Sequence, residues 1–304
     1  MERRRLGQTD MNVSALGFGA AEIGFENVSV ETVKTLLQGA LDAGLNVIDT
    51  AECYGRSEEL IGQAVSQRRR DFYLFSKCGH PNGVESGANW SPKSILESIG
   101  RSLQRLKTDH LDIAQLHSCS ESILRDGDAI AALQTARDRG YTRYLGYSGD
   151  GQAARYAVEC GAFDTLQTSI NIADQEAIDL TLPLARERQI GVIAKRPIAN
   201  AAWKTGHKPI DSYQHEYWQR LNTLDYEFLD QMDQPANLAS TVSIALRFTL
   251  SLSGVHCAIV GTGKADRWKE NADMLEAGPL PESELQAIRA RWEDVAPRTW
   301  IGQT

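Results

Sequence analysis

Short apolar, β-branched runs alternate along the chain with longer stretches whose apolar residues recur every three to four positions. Eight runs read as strands: residues 13–19, 46–50, 72–78, 111–117, 144–149, 165–170, 191–197 and 257–262. They are nearly continuous in apolar character, as expected of strands buried on both faces of a parallel sheet. The stretches between them are helical in period. Val33, Leu36, Leu37, Ala40 and Leu41 share one face of residues 30–43, and Ile95, Ile99, Leu103 and Leu106 share one face of residues 94–106. Residues 129–139, 152–160 and 175–188 continue the series, each with an apolar stripe to lay on a sheet.

The strands end near positions 19, 49, 77, 117, 148, 169, 195 and 261, and the first six separations are 21 to 40 residues. Eight strand–helix units of that length predict an α/β fold, a closed (β/α)8 TIM barrel, which typically takes about 250 residues. The alternative, an open doubly wound sheet, usually carries GxGxxG after its first strand, and this chain does not. The last separation, 66 residues, holds an insertion over 198–238 with Trp203, Tyr213, Tyr217, Trp218, Tyr226 and Phe228 among polar residues. Following the seventh strand, it belongs to the face where barrel active sites are built. It reads either as a flap over substrate or as a helix packed on the rim. Residues 281–293 form a C-terminal helix, and with no linker or low-complexity segment the reading is a single domain over 1–304.

Charge and composition narrow the function. The 304 residues carry 32 Lys+Arg against 40 Asp+Glu, a net charge of -8. The only notable basic runs are Arg3-Arg4-Arg5 and Arg68-Arg69-Arg70, so nucleic acid is not expected as a partner. No run of about 18 apolar residues predicts a membrane span. The N-terminus lacks the apolar core of a secretory signal. Five scattered cysteines, Cys53, Cys78, Cys119, Cys160 and Cys257, with no CxxC pair, suit reduced thiols in a cytoplasmic protein. The six histidines show no HxH or HExxH spacing, so no metal is expected.

The polar residues that end apolar strands are the candidates for chemistry. Asp49 ends the second strand, with Tyr54 just beyond it; Lys77 ends the third and His117 the fourth. On a barrel all four face one mouth. Singly, an Asp there caps a helix and a His is a hydrogen-bonded structural residue. Together they make a proton-transfer device. A tyrosine hydroxyl, with a reference pKa of about 10, exchanges protons poorly near neutrality. A nearby ammonium favours the phenolate, and a carboxylate keeps that ammonium in place. A neutral His can donate a hydrogen bond to a carbonyl. No nucleophile is needed, and the set suits carbonyl polarisation for hydride transfer. Cys53 and Cys78, beside Tyr54 and Lys77, read as small buried hydrophobes.

These residues lie in segments that resemble the aldo-keto reductase superfamily over nearly the whole chain. The resemblance runs from Arg5-Leu6-Gly7-Gln8-Thr9 through Asp49-Thr50-Ala51-Glu52-Cys53-Tyr54-Gly55, Ser76-Lys77, Leu111-Asp112-Ile113 with His117, and Gly146-Tyr147-Ser148, to Glu270-Asn271. It implies a bacterial-type barrel oxidoreductase that interconverts carbonyls and alcohols with a nicotinamide cofactor. The family's catalytic tetrad falls on Asp49, Tyr54, Lys77 and His117, with Tyr54 as general acid in reduction. Tyr54, His117 and Trp90 are the implied substrate contacts.

For the cofactor, the resemblance implies contacts at Gly19, Asp49, Ser148, Gln167, Lys195, Arg196, Gly261, Thr262, Gly263, Arg267, Glu270 and Asn271. Gly149 replaces the family's amide residue and Lys195 its stacking aromatic. Arg267 matches the position that meets the 2′-phosphate, so NADP (NADPH) is favoured, with NAD the alternative. The altered positions resemble the sugar dehydrogenase branch, which leaves a small-molecule carbonyl or an aldose as substrate. A cofactor-binding regulatory subunit with low turnover is a further alternative on the same fold.

Overall fold

The computed structural model describes residues 1–81, 89–205, 207–210, 212–229 and 235–303. Its strands are β1 (Arg3–Arg5), β2 (Asn12–Ser14), β3 (Leu16–Gly19), β4 (Val47–Asp49), β5 (Tyr73–Cys78), β6 (Leu111–His117), β7 (Thr142–Ser148), β8 (Thr165–Ser169), β9 (Gly191–Lys195) and β10 (Cys257–Val260). Strands β3 to β10 close into an eight-stranded barrel, in chain order with β10 joined to both β9 and β3. Every pair around it is parallel. The eight expected strands are the eight staves, and helices cover them as the (β/α)8 reading requires.

One expected strand is two. The run at 13–19 breaks at Ala15, where Ser14 donates its N–H to the Asn46 side chain (2.6 Å) and its hydroxyl to the Leu16 carbonyl (2.9 Å). Residues before the break form β2, which pairs antiparallel with β1. This hairpin places Leu6, Met11 and Val13 against Val47, Phe75, Ile113, Ile193, Cys257 and Ile259, filling the barrel interior below the mouth. The catalytic candidates at the other end therefore stand on a packed apolar floor.

The covering helices follow local signals. Ser29 caps Val30–Asp42 by accepting from the Thr32 N–H, and Ser91 does the same for Pro92–Leu106 through Ser94. Residues 175–188 form two short helices, Glu176–Leu180 and Leu182–Glu187, instead of one. Pro183 has no N–H to continue the ladder, and the break falls at Thr181.

The insertion after β9 packs on the rim. It contains a turn, Ala199–Thr205, and a helix, Ser212–Leu224. Trp203, Tyr217, Leu221, Leu224 and Tyr226 are buried in the main core. The Tyr217 hydroxyl donates to Asp174 (3.1 Å) and the Tyr226 hydroxyl to the Ile172 carbonyl (2.8 Å). Its aromatics thus hold the segment after β8 and do not form a free flap; residues 206, 211 and 230–234 and the side chain of Tyr213 lie outside the described residues.

Asp174 is fully buried here, with Arg220 3.7 Å from one of its oxygens. Burial, with Asp150 adding to it, pushes its pKa up to about 7 from 3.8. Between those values the folded chain holds a proton that the unfolded chain has lost. The stability this confers is full below about pH 4 and is lost as pH rises through about 7. Asp174→Asn, which cannot ionise, is expected to gain in melting temperature relative to wild type between pH 5 and pH 8. Parallel pH curves for the two proteins would contradict this.

Candidate active site

Four side chains predicted from separate segments meet at the C-terminal mouth of the barrel. Lys77 reaches from β5 to Asp49 on β4, with 2.5 Å between its Nζ and Oδ2, and also donates to the Thr50 carbonyl (2.9 Å). The other Asp49 oxygen accepts from Gln115 (3.0 Å) and Gln167 (2.8 Å). The Tyr54 ring centroid is 4.8 Å from the Lys77 nitrogen. It stands edge-on to His117, 5.7 Å between centroids.

The loop carrying Tyr54 is held from several sides. Buried Glu52 accepts from Ser98 and from Arg101 (2.7 Å), and buried Glu58 from Ser76 (2.6 Å) and Arg105 (3.3 Å). Gly55 turns the chain at φ +50, where a Cβ would meet the Gly24 carbonyl. These contacts tie the loop to the helix Pro92–Leu106 and to the segment after β3, so Tyr54 has little freedom to leave Lys77.

Charge is tuned by burial and neighbours. Burial alone lowers a lysine, but Asp49 and then Tyr54 outweigh it, and the Lys77 pKa lies above its ordinary value. The ammonium is therefore retained beside the phenol. His117 is driven the other way: burial first, then Lys77, His80, Lys195 and Arg196 hold it well below 6.5. It is neutral at pH 7 and can act as a hydrogen-bond donor without charge.

Further aromatic residues stand around this centre. Trp90 lies over Gly79, whose φ of +114 and lack of a side chain admit the indole. Its ring meets His80 edge-on at 5.5 Å, and His80 meets His117 at 5.5 Å. This places Trp90 two rings from His117. Sequence reasoning missed Phe25, an exposed aromatic 5.9 Å from Tyr54, because it sits in the connection after β3 with no periodic signal.

The expected cofactor residues fall into three groups. At the mouth, Ser148 donates to Gln167 Oε1 (3.1 Å), and both belong to the Asp49 network. Gly149 has no room for the amide side chain that the resemblance leads one to expect: a Cβ would strike the Tyr147 ring, whose hydroxyl donates to the Cys119 carbonyl (2.8 Å). At the end of β10, Gly19 faces Gly261, with ordinary contact distance for an added Cβ. Thr262 accepts from the Lys264 N–H (3.0 Å), and Asn271 is buried. Arg267 is half-exposed and paired with Glu270 at 3.2 Å. Two carboxylates absent from the sequence reading also stand here, because Glu22 lies against Gly261 and Glu26 against Gly263.

Lys195 and Arg196 are placed differently from a nicotinamide-stacking residue. Lys195 forms an ion pair with Asp150 at 2.8 Å, and burial lowers its pKa to about 8 despite that partner. Lys195 (3.1 Å) and Arg196 both donate to the Gln303 carbonyl. The Gln303 N–H donates to Asp174 (3.2 Å) and the Gly302 N–H to Glu176 (2.8 Å). Arg220 holds the Ile301 carbonyl (2.8 Å). Residues 301–303 thus form a strap across the β8–β9 side of the mouth. A separate cavity of about 420 Å3, lined by Glu2, Arg4, Arg247 and Lys269 among others, lies by the N-terminal hairpin, away from Tyr54.

The chain is similar to known proteins over nearly its whole length. Residues 15–293 match the Aldo/keto reductase family. The chain is 30% identical over 303 residues to an uncharacterized oxidoreductase, YqkF, of Bacillus subtilis, covering 95% of this chain and 96% of that one. It is 26% identical to an L-galactose dehydrogenase of Arabidopsis thaliana, covering 99% and 97%. It superposes with a TM-score of 0.82 on an aldo-keto reductase from Bacillus halodurans in its holo form, at 27% identity over 98% of this chain and 99% of that one. A closed parallel barrel with this mouth, matched over nearly its full length, places the chain in the aldo/keto reductase family of oxidoreductases acting on carbonyl and alcohol groups.

Proposed function

We propose that this protein reduces aldehydes or ketones to alcohols with NADPH, using Tyr54 as the proton donor. The observation that carries the reading is Lys77, held in the barrel centre by Asp49 and presented to Tyr54. In reduction the Tyr54 hydroxyl gives its proton to the carbonyl oxygen. Lys77 stabilises the phenolate left behind, and Asp49 keeps Lys77 charged. Neutral His117 donates a hydrogen bond that orients the carbonyl oxygen. Trp90 and Phe25 supply an apolar wall for the rest of the substrate.

The residues present suit a nicotinamide dinucleotide. Ser148 Oγ and Gln167 Oε1 each keep lone pairs for carboxamide N–H groups. Backbone N–H groups at Gly261, Thr262 and Gly263 and the cations Lys264 and Arg267 suit phosphates. When bound, that cofactor supplies the hydride. Lys195 and Arg196 are assigned to it as well, and they must exchange the Gln303 carbonyl for a phosphate or amide oxygen to take that role.

A second reading is favoured by one observation. The carboxylates of Glu22 and Glu26 beside Gly261 and Gly263, with Arg267 engaged by Glu270, weaken the welcome for a 2′-phosphate. That arrangement suits NAD and oxidation of an aldose, the reaction class named for the L-galactose dehydrogenase relative.

Titration of tryptophan fluorescence with NADPH and NADH separates the two. The expected result is tighter NADPH binding, with Arg267→Ala weakening NADPH about tenfold or more, the loss of one charge-assisted contact, and leaving NADH unchanged. A preference for NADH that Arg267→Ala does not alter moves the assignment to NAD-linked aldose oxidation. Binding of neither cofactor overturns the proposed site.

A further inference from the structure

We infer that Cys53 is a positioning residue for His117: its S–H donates to Nδ1 and so leaves the ring proton on Nε2. The inference rests on the proposed role of His117 as donor to the carbonyl oxygen, which requires a single N–H on the correct side of the ring.

The contact is direct. Cys53 Sγ is 3.4 Å from His117 Nδ1, an ordinary distance for a thiol hydrogen bond. Cys53 is 8% exposed, in the loop pinned by Glu52 and Gly55. Its neighbour in sequence is Tyr54, so the same loop sets both the proton donor and the group that orients the carbonyl.

The protonation states of the two partners are complementary. Burial pushes the Cys53 thiol up to about 11, so it keeps its hydrogen throughout the neutral range. His117 is neutral for the reasons given above. A neutral imidazole has one N–H and one lone pair. A thiol is a weak donor and a weaker acceptor, so the favourable pairing puts the lone pair on Nδ1 toward sulfur. Nε2 then carries the hydrogen. The far side of the residue is fixed too, because His80 Nε2 donates to the His117 carbonyl (2.8 Å).

The inference separates Cys53 from the other buried cysteines. The thiols of Cys78 and Cys257 hydrogen-bond to backbone carbonyls, those of Gln115 and Ala258. A small apolar residue at position 53 fills the same space but offers His117 no donor.

Long-range proton–nitrogen NMR on histidine-labelled protein reads the tautomer of His117 directly. Wild type and Cys53→Ser are expected to show Nε2–H alone, with Nδ1 as a hydrogen-bonded acceptor. Cys53→Ala is expected to lose the acceptor shift at Nδ1 and to show both tautomers. In parallel, kcat for carbonyl reduction falls about three- to tenfold in Cys53→Ala, the range of one net hydrogen bond, and Cys53→Ser rescues it, with NADPH affinity unchanged in both. An Nδ1–H tautomer in wild type, or a His117 spectrum unaltered by Cys53→Ala, overturns the inference. If Cys53→Ala changes the tautomer without changing kcat, the Cys53 contact stands and the proposed role of His117 fails.

Discussion

The Asp49–Lys77 ion pair is the constraint on which the mouth of the barrel depends. Both groups are almost fully buried, and two opposite charges out of water tolerate one another only if every remaining hydrogen-bonding position is filled. Here they are filled. Lys77 uses Asp49, the Thr50 carbonyl and the Tyr54 hydroxyl, and Asp49 uses Lys77, Gln115 and Gln167. Removing either charge leaves the other stranded, at a cost of about 3–5 kcal/mol. The same pair links four strands: β4 and β5 directly, β6 through Gln115 and β8 through Gln167. Tyr54, His117 and Ser148 are therefore placed relative to a rigid centre and not to flexible loops.

Much of this was legible in the sequence because it follows from period and position. An apolar run that ends in Asp49, Lys77 or His117 puts that side chain at the C-terminal end of a stave, and eight such runs leave few architectures. The break at Ala15 was not legible, since a single Ser14 does not interrupt a strand pattern and the bond that divides the run comes from Asn46, 32 positions away. The break at Thr181 was overlooked although Pro183 marks it. The insertion after β9 carried two readings because aromatic residues serve equally in a lid and in a core; burial of Trp203, Tyr217 and Tyr226 decides for the rim.

The contacts that went unseen share a cause. Cys53 and His117 are 64 positions apart, Arg196 and Gln303 are 107 apart, and Glu22 meets Gly261 from the far end of the chain. Each contact depends on the path of a connection across the mouth, which no periodicity encodes. They also change the meaning of residues that were seen. Lys195 and Arg196 read as cofactor cations, yet in the folded chain they hold a strap through its Gln303 carbonyl, with Lys195 paired to Asp150 and the Gln303 N–H held by Asp174. The Gly149 gap is filled by the Tyr147 hydroxyl. The site keeps its chemical centre and departs from the familiar pattern where the nicotinamide would be gripped.

The most direct test of the central claim is NADPH-dependent reduction of an aldehyde panel by wild type and Tyr54→Phe, with NADPH binding measured on both. Loss of the proton donor is expected to lower turnover by about 10²–10⁴, while tryptophan quenching by NADPH is unchanged. Turnover retained in Tyr54→Phe would contradict the account, because the Asp49–Lys77 pair would then be serving some other proton donor.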